Sequence, residues 1–277
     1  MPELPEVELI SRSLNALVKG RTIATAMLLR ERLAPDVKPA DFAGRLENSH
    51  INHVGRRGKH ILFDLSGGKT LIVHLRMSGR FSLLRAETED PKFTHAVFHF
   101  DEYERLVFDD QRHFGLMKIV ATSDLHEAKE LKKLAPEPFS DEFSVEYLSQ
   151  ALKSSKRSLK EFLLDQTKVC GLGNIYAAEA MFAAGVDPRR PSYKLTKPSI
   201  LRLHESIRAV LNEAVSHAGS REVDPENLEG SYFSGSTDAG WFVYDRENQP
   251  CLNCETPILR LKQGGRSTYY CRKCQRK

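Results

Sequence analysis

Four cysteines near one end of the chain restrict its fold more than any other feature. Cys251-x2-Cys254 and Cys271-x2-Cys274 are separated by sixteen residues, the spacing of a four-thiolate zinc site built on two turns. Such a site needs no further ligand, so one structural zinc ion with closed coordination is expected. Disulfides are the alternative, weakened because nothing in the chain points to export. Cys170, the fifth cysteine, has no partner in this pattern and reads as a small buried hydrophobe. Residues 251–277 also hold Arg260, Lys262, Arg266, Arg272, Lys273, Arg276 and Lys277 against the single acid Glu255, so the chain's net charge of +4 comes from this stretch. A basic patch that overlaps the cysteines suits a folded module facing an acidic partner.

The 277 residues, 40% of them hydrophobic, suffice for one large or two ordinary domains. No stretch reaches the apolar length of a bilayer span, and charges run through the first thirty residues, so a cytoplasmic location is expected. Val7, Ile10, Leu14 and Leu17 recur at helical spacing. Short β-rich runs then follow at 22–30, 60–65, 70–75, 81–84, 95–100, 105–108 and 116–121, with no helical periodicity between them. This predicts an antiparallel β-sandwich behind an N-terminal helix. Past Asp124, Pro136-Glu137-Pro138 punctuates a boundary and helices are predicted at 145–152, 158–166, 175–184 and 199–218. The fold class expected is α+β in two domains: 1–124 as helix plus sandwich and 125–220 as a helical domain, with an irregular loop region at 221–245 and the zinc finger at 246–277.

Several motifs admit a structural and a chemical reading. Pro2 and Pro5 suit the opening of a helix, with Glu6 and Glu8 at its positive end. With Met1 removed, Pro2 would also be a secondary amine beside Glu3, and an α-amine titrates near about 7.7–8.0. Val169-Cys170-Gly171-Leu172-Gly173-Asn174 is either a helix corner with an asparagine cap or an anion site at a helix start. Gly55-Arg56-Arg57-Gly58-Lys59 is a solvated turn or a phosphate contact, and Lys153, Lys156, Arg157 and Lys160 form a second basic run. His74-Leu75-Arg76-Met77-Ser78-Gly79 and Asp110-Gln111-Arg112-His113-Phe114-Gly115 put a bulky side chain in a glycine-ended turn. Met77 and Phe114 are then core-edge residues, or wedges for a base stack.

Together these segments resemble the formamidopyrimidine-DNA glycosylase family, also called 8-oxoguanine DNA glycosylases. The resemblance spans nearly the whole chain. It rests on Pro2-Glu3-Leu4-Pro5-Glu6-Val7-Glu8, Arg57-Gly58-Lys59, the segments at 74–79 and 111–115, Ala-Pro-Glu-Pro at 135–138, Gly-Leu-Gly-Asn-Ile-Tyr at 171–176, and the cysteine module with Gly265-Arg266. It implies a helix–two-turn–helix element in the helical domain and a damaged base flipped from double-stranded DNA. It also implies attack of the Pro2 nitrogen at C1′, then β- and δ-elimination through a Schiff base. By the same resemblance Glu3 is the acid/base at the sugar, Lys59 the proton donor for β-elimination and Arg266 that for δ-elimination. Met77, Arg112 and Phe114 fill the vacated stack. His95, Arg112, Lys156, Gly171, Gly173 and Asn174 bind DNA, and 221–245 closes over the lesion. One reaction centre per chain makes a monomer sufficient.

The chain departs from the family pattern at Asp110-Gln111, at Ser154-Ser155, and above all over 231–241, so base preference is the least transferable property. The nearest alternative is an endonuclease VIII-like enzyme for oxidised pyrimidines. Leu4 and the Met77, Arg112, Phe114 trio favour oxidised purines. A zinc-finger protein that binds distorted DNA without cutting it would have no need of Pro2, Glu3, Lys59 and Arg266.

Overall fold

The computed structural model describes residues 2–218, 224–228 and 240–276. Most of the expected lesion-capping segment therefore lies outside the described residues. The chain divides into two compact units, Met1–Lys132 with Ala218–Gly235, and Lys133–His217 with Ser236–Lys277.

The first unit opens with α1 (Leu4–Val18). Glu3 and Glu6 form a capping box, with the Glu3 N–H donating to Glu6 Oε2 at 2.7 Å, and Pro5 occupies the first turn. Leu4, Val7, Ile10, Leu14 and Val18 form its buried stripe. The strands are β1 (Thr22–Ile23), β2 (Thr25–Leu28), β3 (Ser49–Arg57), β4 (His60–Leu65), β5 (Lys69–His74), β6 (Gly79–Arg85), β7 (Thr94–His99), β8 (Glu104–Asp110) and β9 (Leu116–Ala121), with α2 (Pro39–Leu46) between β2 and β3. They pair antiparallel in two sheets, ordered β1-β3-β4-β5-β9 and β2-β7-β8-β6. Ile51, Phe63 and Leu71 from one sheet meet Phe98 and Leu106 from the other around a void of about 10 Å³. The predicted sandwich is present.

Helix α2 and strand β3 were not predicted. Helix α2 is only eight residues with Phe42 and Leu46 buried, and β3 mixes His50, Asn52, His53, Arg56 and Arg57 with few apolar positions. The first unit also runs past the expected boundary at 124. Lys118 pairs with Glu130 at 3.5 Å and Lys129 with Asp36 at 3.5 Å, which holds 125–132 to the sandwich.

The second unit contains α3 (Val145–Lys153), α4 (Leu159–Leu164), α5 (Asn174–Ala183), α6 (Lys197–Ala218) and the hairpin β10 (Leu259–Gln263) with β11 (Arg266–Tyr270). Ser144 and Ser158 cap α3 and α4 through their hydroxyls. Phe143, Leu148, Phe162, Tyr176, Met181 and Leu203 belong to one buried cluster. The cysteine module shares this unit, because Cys251, Cys271, Ile258 and Tyr269 pack with Ala178 and Phe182 of α5.

Candidate functional site

In the first unit the start of α1 is tied to the end of β3. Glu8 accepts from Arg56 Nε at 2.5 Å, and Asn15 Oδ1 accepts from the Val54 N–H at 2.8 Å. Rising numbers on the helix thus match falling numbers on the strand, which directs Glu3 toward the turn between β3 and β4. Gly58 takes φ +59° as the first residue of that two-residue turn, the conformation a tight hairpin demands, and Lys59 follows it. Pro2 is buried, and Glu3 and Lys59 are 3% and 6% exposed. Next to Lys59, His60 meets His74 edge to face at 4.6 Å. Burial lowers His60 to about 4 and His74 to about 2, so both are neutral imidazoles at ordinary pH. His74 Nδ1 accepts from the Arg76 N–H, and Arg76 adopts φ +56°.

The two glycine-ended loops lie side by side, since Gly79 pairs with Asp110 in the β6–β8 ladder. At their tips Met77 is 42% and Phe114 47% exposed, and Arg112 is also exposed, its guanidinium 5.5 Å from the Phe114 ring centre. The core-edge reading of Met77 and Phe114 is not what the structure shows. The fully buried Asp110 carboxylate gathers Ser78 Oγ and the N–H groups of Arg112, Phe114 and Gly115. Burial pushes this carboxyl up, but those hydrogen bonds outweigh it and hold it below the usual carboxylate range. His113 sits at φ +60° between Arg112 and Phe114, and its Nδ1 is 2.9 Å from Nε2 of His95. His95, expected to touch DNA, is only 3% exposed; its ring lies nearly coplanar with that of His113, ring centres 5.0 Å apart and planes at 9°, and burial lowers its pKa.

In the second unit, Gly173 rather than Asn174 is the N-cap of α5, which corrects the asparagine-cap reading. Asn174 Nδ2 instead donates to the Ser267 carbonyl at 3.0 Å, next to the exposed Arg266. The Gly171–Gly173 turn is braced by Gln166, whose Oε1 accepts from the Gly171 N–H and whose Nε2 donates to the Leu172 carbonyl. Lys156 is exposed beside an open basic depression that Arg157 and Lys168 also line. Lys160 does not belong to that basic surface. It is fully buried, and its ammonium donates to the Asn174 carbonyl at 2.8 Å.

The four sulfurs of Cys251, Cys254, Cys271 and Cys274 lie within 4.8 Å of one another, two of the separations being 3.9 and 3.5 Å. Tetrahedral zinc with Zn–S bonds of about 2.3 Å needs sulfurs about 3.8 Å apart. The donor set and spacing therefore fit one structural zinc. Around it, Glu179 of α5 accepts the N–H groups of Phe242, Val243 and Tyr244, and Gln275 Nε2 donates to Val186 O.

Sequence reading missed His60, His74, His113, Asp110 and Glu179 as contributors. Only Asp110 had an available signal, a carboxylate placed just ahead of a glycine-ended loop.

Known proteins are similar to the chain over its whole length. Residues 1–117 match the formamidopyrimidine-DNA glycosylase N-terminal domain, 134–224 the formamidopyrimidine-DNA glycosylase H2TH domain, and 248–276 the zinc finger found in FPG and IleRS. A formamidopyrimidine-DNA glycosylase of Ruegeria pomeroyi is 41% identical over 291 aligned positions that cover all of both chains. Wild-type Lactococcus lactis Fpg in complex with DNA containing N7-benzyl-Fapy-dG superposes with a TM-score of 0.91 at 30% identity, covering all of both chains. The same Lactococcus protein bound to DNA containing an oxidised pyrimidine gives 0.91 at 31%, again over all of both chains.

Proposed function

The chain belongs to the formamidopyrimidine-DNA glycosylase family, and on that premise we propose that it excises oxidised purines from double-stranded DNA and cuts the resulting abasic site with Pro2 as nucleophile. The observation that carries this reading is the pair of exposed tips, Met77 and Phe114, held by the buried Asp110 in a loop pair that begins at the His60–His74 contact beside Lys59. Exposing and fixing apolar side chains is costly unless a partner covers them, and a parted base stack is such a partner. Flipping a base costs a few kcal/mol, least for damaged pairs.

With Met1 gone, the Pro2 nitrogen forms a bond to C1′ as the C1′–base bond breaks, and the electron pair leaves with the base. The positive end of α1 favours the neutral amine that this attack needs. Ring opening gives an iminium. Loss of a C2′ proton then expels the 3′ phosphate, and a second elimination expels the 5′ phosphate. Glu3 serves as acid/base at the sugar and Lys59 as proton donor in the first elimination. Arg266 meets phosphate and donates in the second. Met77, Arg112 and Phe114 occupy the vacated stack. Lys156 and the Gly171, Gly173 and Asn174 turn contact the backbone, as does His95 together with His113. Zinc on Cys251, Cys254, Cys271 and Cys274, when bound, ties the two turns of the finger together, and takes no part in the reaction.

No helix among the described residues is long and apolar enough to cross a membrane. We place the protein in the cytoplasm with the DNA, acting as a monomer. Borohydride should trap the mature protein covalently on duplexes bearing 8-oxoguanine or an abasic site. Trapping by Pro2→Gly at the wild-type rate would remove Pro2 as nucleophile. Faster cleavage of thymine glycol than of 8-oxoguanine or formamidopyrimidine opposite cytosine would overturn the purine preference.

A further inference from the structure

Asp110 has no part in the bond changes above, yet it is among the most completely buried ionisable groups of the first unit, at 0% exposure. Four donors reach its carboxylate. Ser78 Oγ donates to Oδ1 at 2.5 Å and the Arg112 N–H to the same oxygen at 3.2 Å; the Phe114 and Gly115 N–H groups donate to Oδ2, both at 2.7 Å. Ser78 closes the arrangement by accepting from the Arg112 N–H at 3.0 Å. One donor comes from the loop that carries Met77, and three come from the loop that carries Arg112 and Phe114. Both loops also rest on the Phe108 ring: a Cβ on Gly79 would approach Phe108 Cζ to 2.7 Å, and one on Gly115 to 2.9 Å.

A buried carboxylate whose partners are neutral donors from two loops ties the loops to each other: releasing the Phe114 loop strips Oδ2 of both its donors, and releasing the Met77 loop takes away the Ser78 hydroxyl, the shorter of the two bonds on Oδ1. We propose that Asp110 is a positioning residue for base extrusion: it holds Met77, Arg112 and Phe114 in one preassembled piece, so that they enter the duplex together without first being ordered. This rests on the wedge reading of those three side chains. Ordering flexible loops and side chains on binding would otherwise oppose extrusion.

The consequence is selective. Extrusion matters for a lesion inside a stacked duplex and not for an abasic site in single-stranded DNA, which is already open. Asp110→Asn removes the charge and replaces one acceptor oxygen by a donor, so the amide can no longer accept from all four groups. Its borohydride trapping on a duplex 8-oxoguanine substrate should fall by about tenfold or more, the scale of losing charge-assisted hydrogen bonds. Trapping on a single-stranded abasic site should stay within about twofold of wild type. The fluorescence rise of 2-aminopurine placed beside the lesion, which reports unstacking, should slow in parallel with the duplex reaction. Ser78→Ala, which removes one donor and keeps the carboxylate, should give a smaller loss of the same kind and serves if Asp110→Asn does not fold.

Equal loss on both substrates, or unchanged duplex trapping in both variants, would overturn the proposal. Two controls separate it from the reading beneath it. Wild-type protein that traps neither substrate removes the glycosylase chemistry, and Phe114→Ala that cleaves the duplex normally removes the wedge; either result takes this proposal with it.

Discussion

His60 and His74 meet edge to face, ring centres 4.6 Å apart and planes at 86°, and both rings are closed to solvent. One imidazole follows Lys59 directly; the other opens the loop that carries Met77. His60 Nδ1 is buried without a hydrogen-bond partner. The contact therefore joins the turn expected to donate a proton to the loop expected to enter DNA, through two groups that must remain neutral.

Acid should weaken this contact first. The folded-state values of about 4 for His60 and about 2 for His74 lie below the ordinary 6.5, so the unfolded chain takes up protons that the folded chain refuses. Stability is full above about pH 6.5 and falls as the pH drops toward 4, by about 1.4 kcal/mol per unit for each histidine. Urea midpoints at neutral pH and about two units lower should show the decline, and His74→Phe should make it shallower. A wild-type midpoint that does not move over that range contradicts the expectation.

The two lysines of the basic run should behave differently. Lys156→Ala should weaken DNA binding across sequences and reduce the slope of log affinity against log salt by about 0.9, the loss of one phosphate contact. Lys160→Met should leave that slope alone and lower stability by about 1–3 kcal/mol, because the Asn174 carbonyl loses a buried donor. Equal slopes for Lys156→Ala and wild type would remove Lys156 from the interface.

Two glycine replacements should have opposite signs. A Cβ at Gly79 would lie 2.6 Å from the Leu75 carbonyl oxygen and 2.7 Å from Phe108 Cζ, so Gly79→Ala should cost about 1–3 kcal/mol in denaturant unfolding. Gly44, inside α2, has nothing within 4 Å of the point where a Cβ would stand, and Gly44→Ala should stabilise by about 0.5–1 kcal/mol.

Metal removal should act on the finger and on α5 together. Cys254→Ser, or a strong chelator, should lower bound zinc from one ion per chain and abolish DNA binding, since Cys251 and Cys271 pack against Ala178 and Phe182 of the helix that begins at Asn174. Metal analysis with fluorescence anisotropy on labelled duplex checks both parts; full binding after confirmed metal loss contradicts them.

Much of the fold and part of the site could be read directly from the chain. The thiol pairs, the stripe of α1 and the strand alternation of 60–121 are signals carried within a few residues, because turn geometry and the periods of helix and strand act locally. The roles proposed for Pro2, Glu3, Lys59 and Arg266 came from short motifs that the chain shares with its family. Tertiary structure alone decided that Lys160 is buried under Asn174 while Lys156 faces solvent, that Asn174 holds the strand of Arg266, and that His95 lies beside His113. It likewise decided that one carboxylate, Asp110, joins Ser78 to Phe114. These relationships join residues brought together by strand register and helix packing. A buried polar group needs a partner, but no local pattern says which distant residue will supply it.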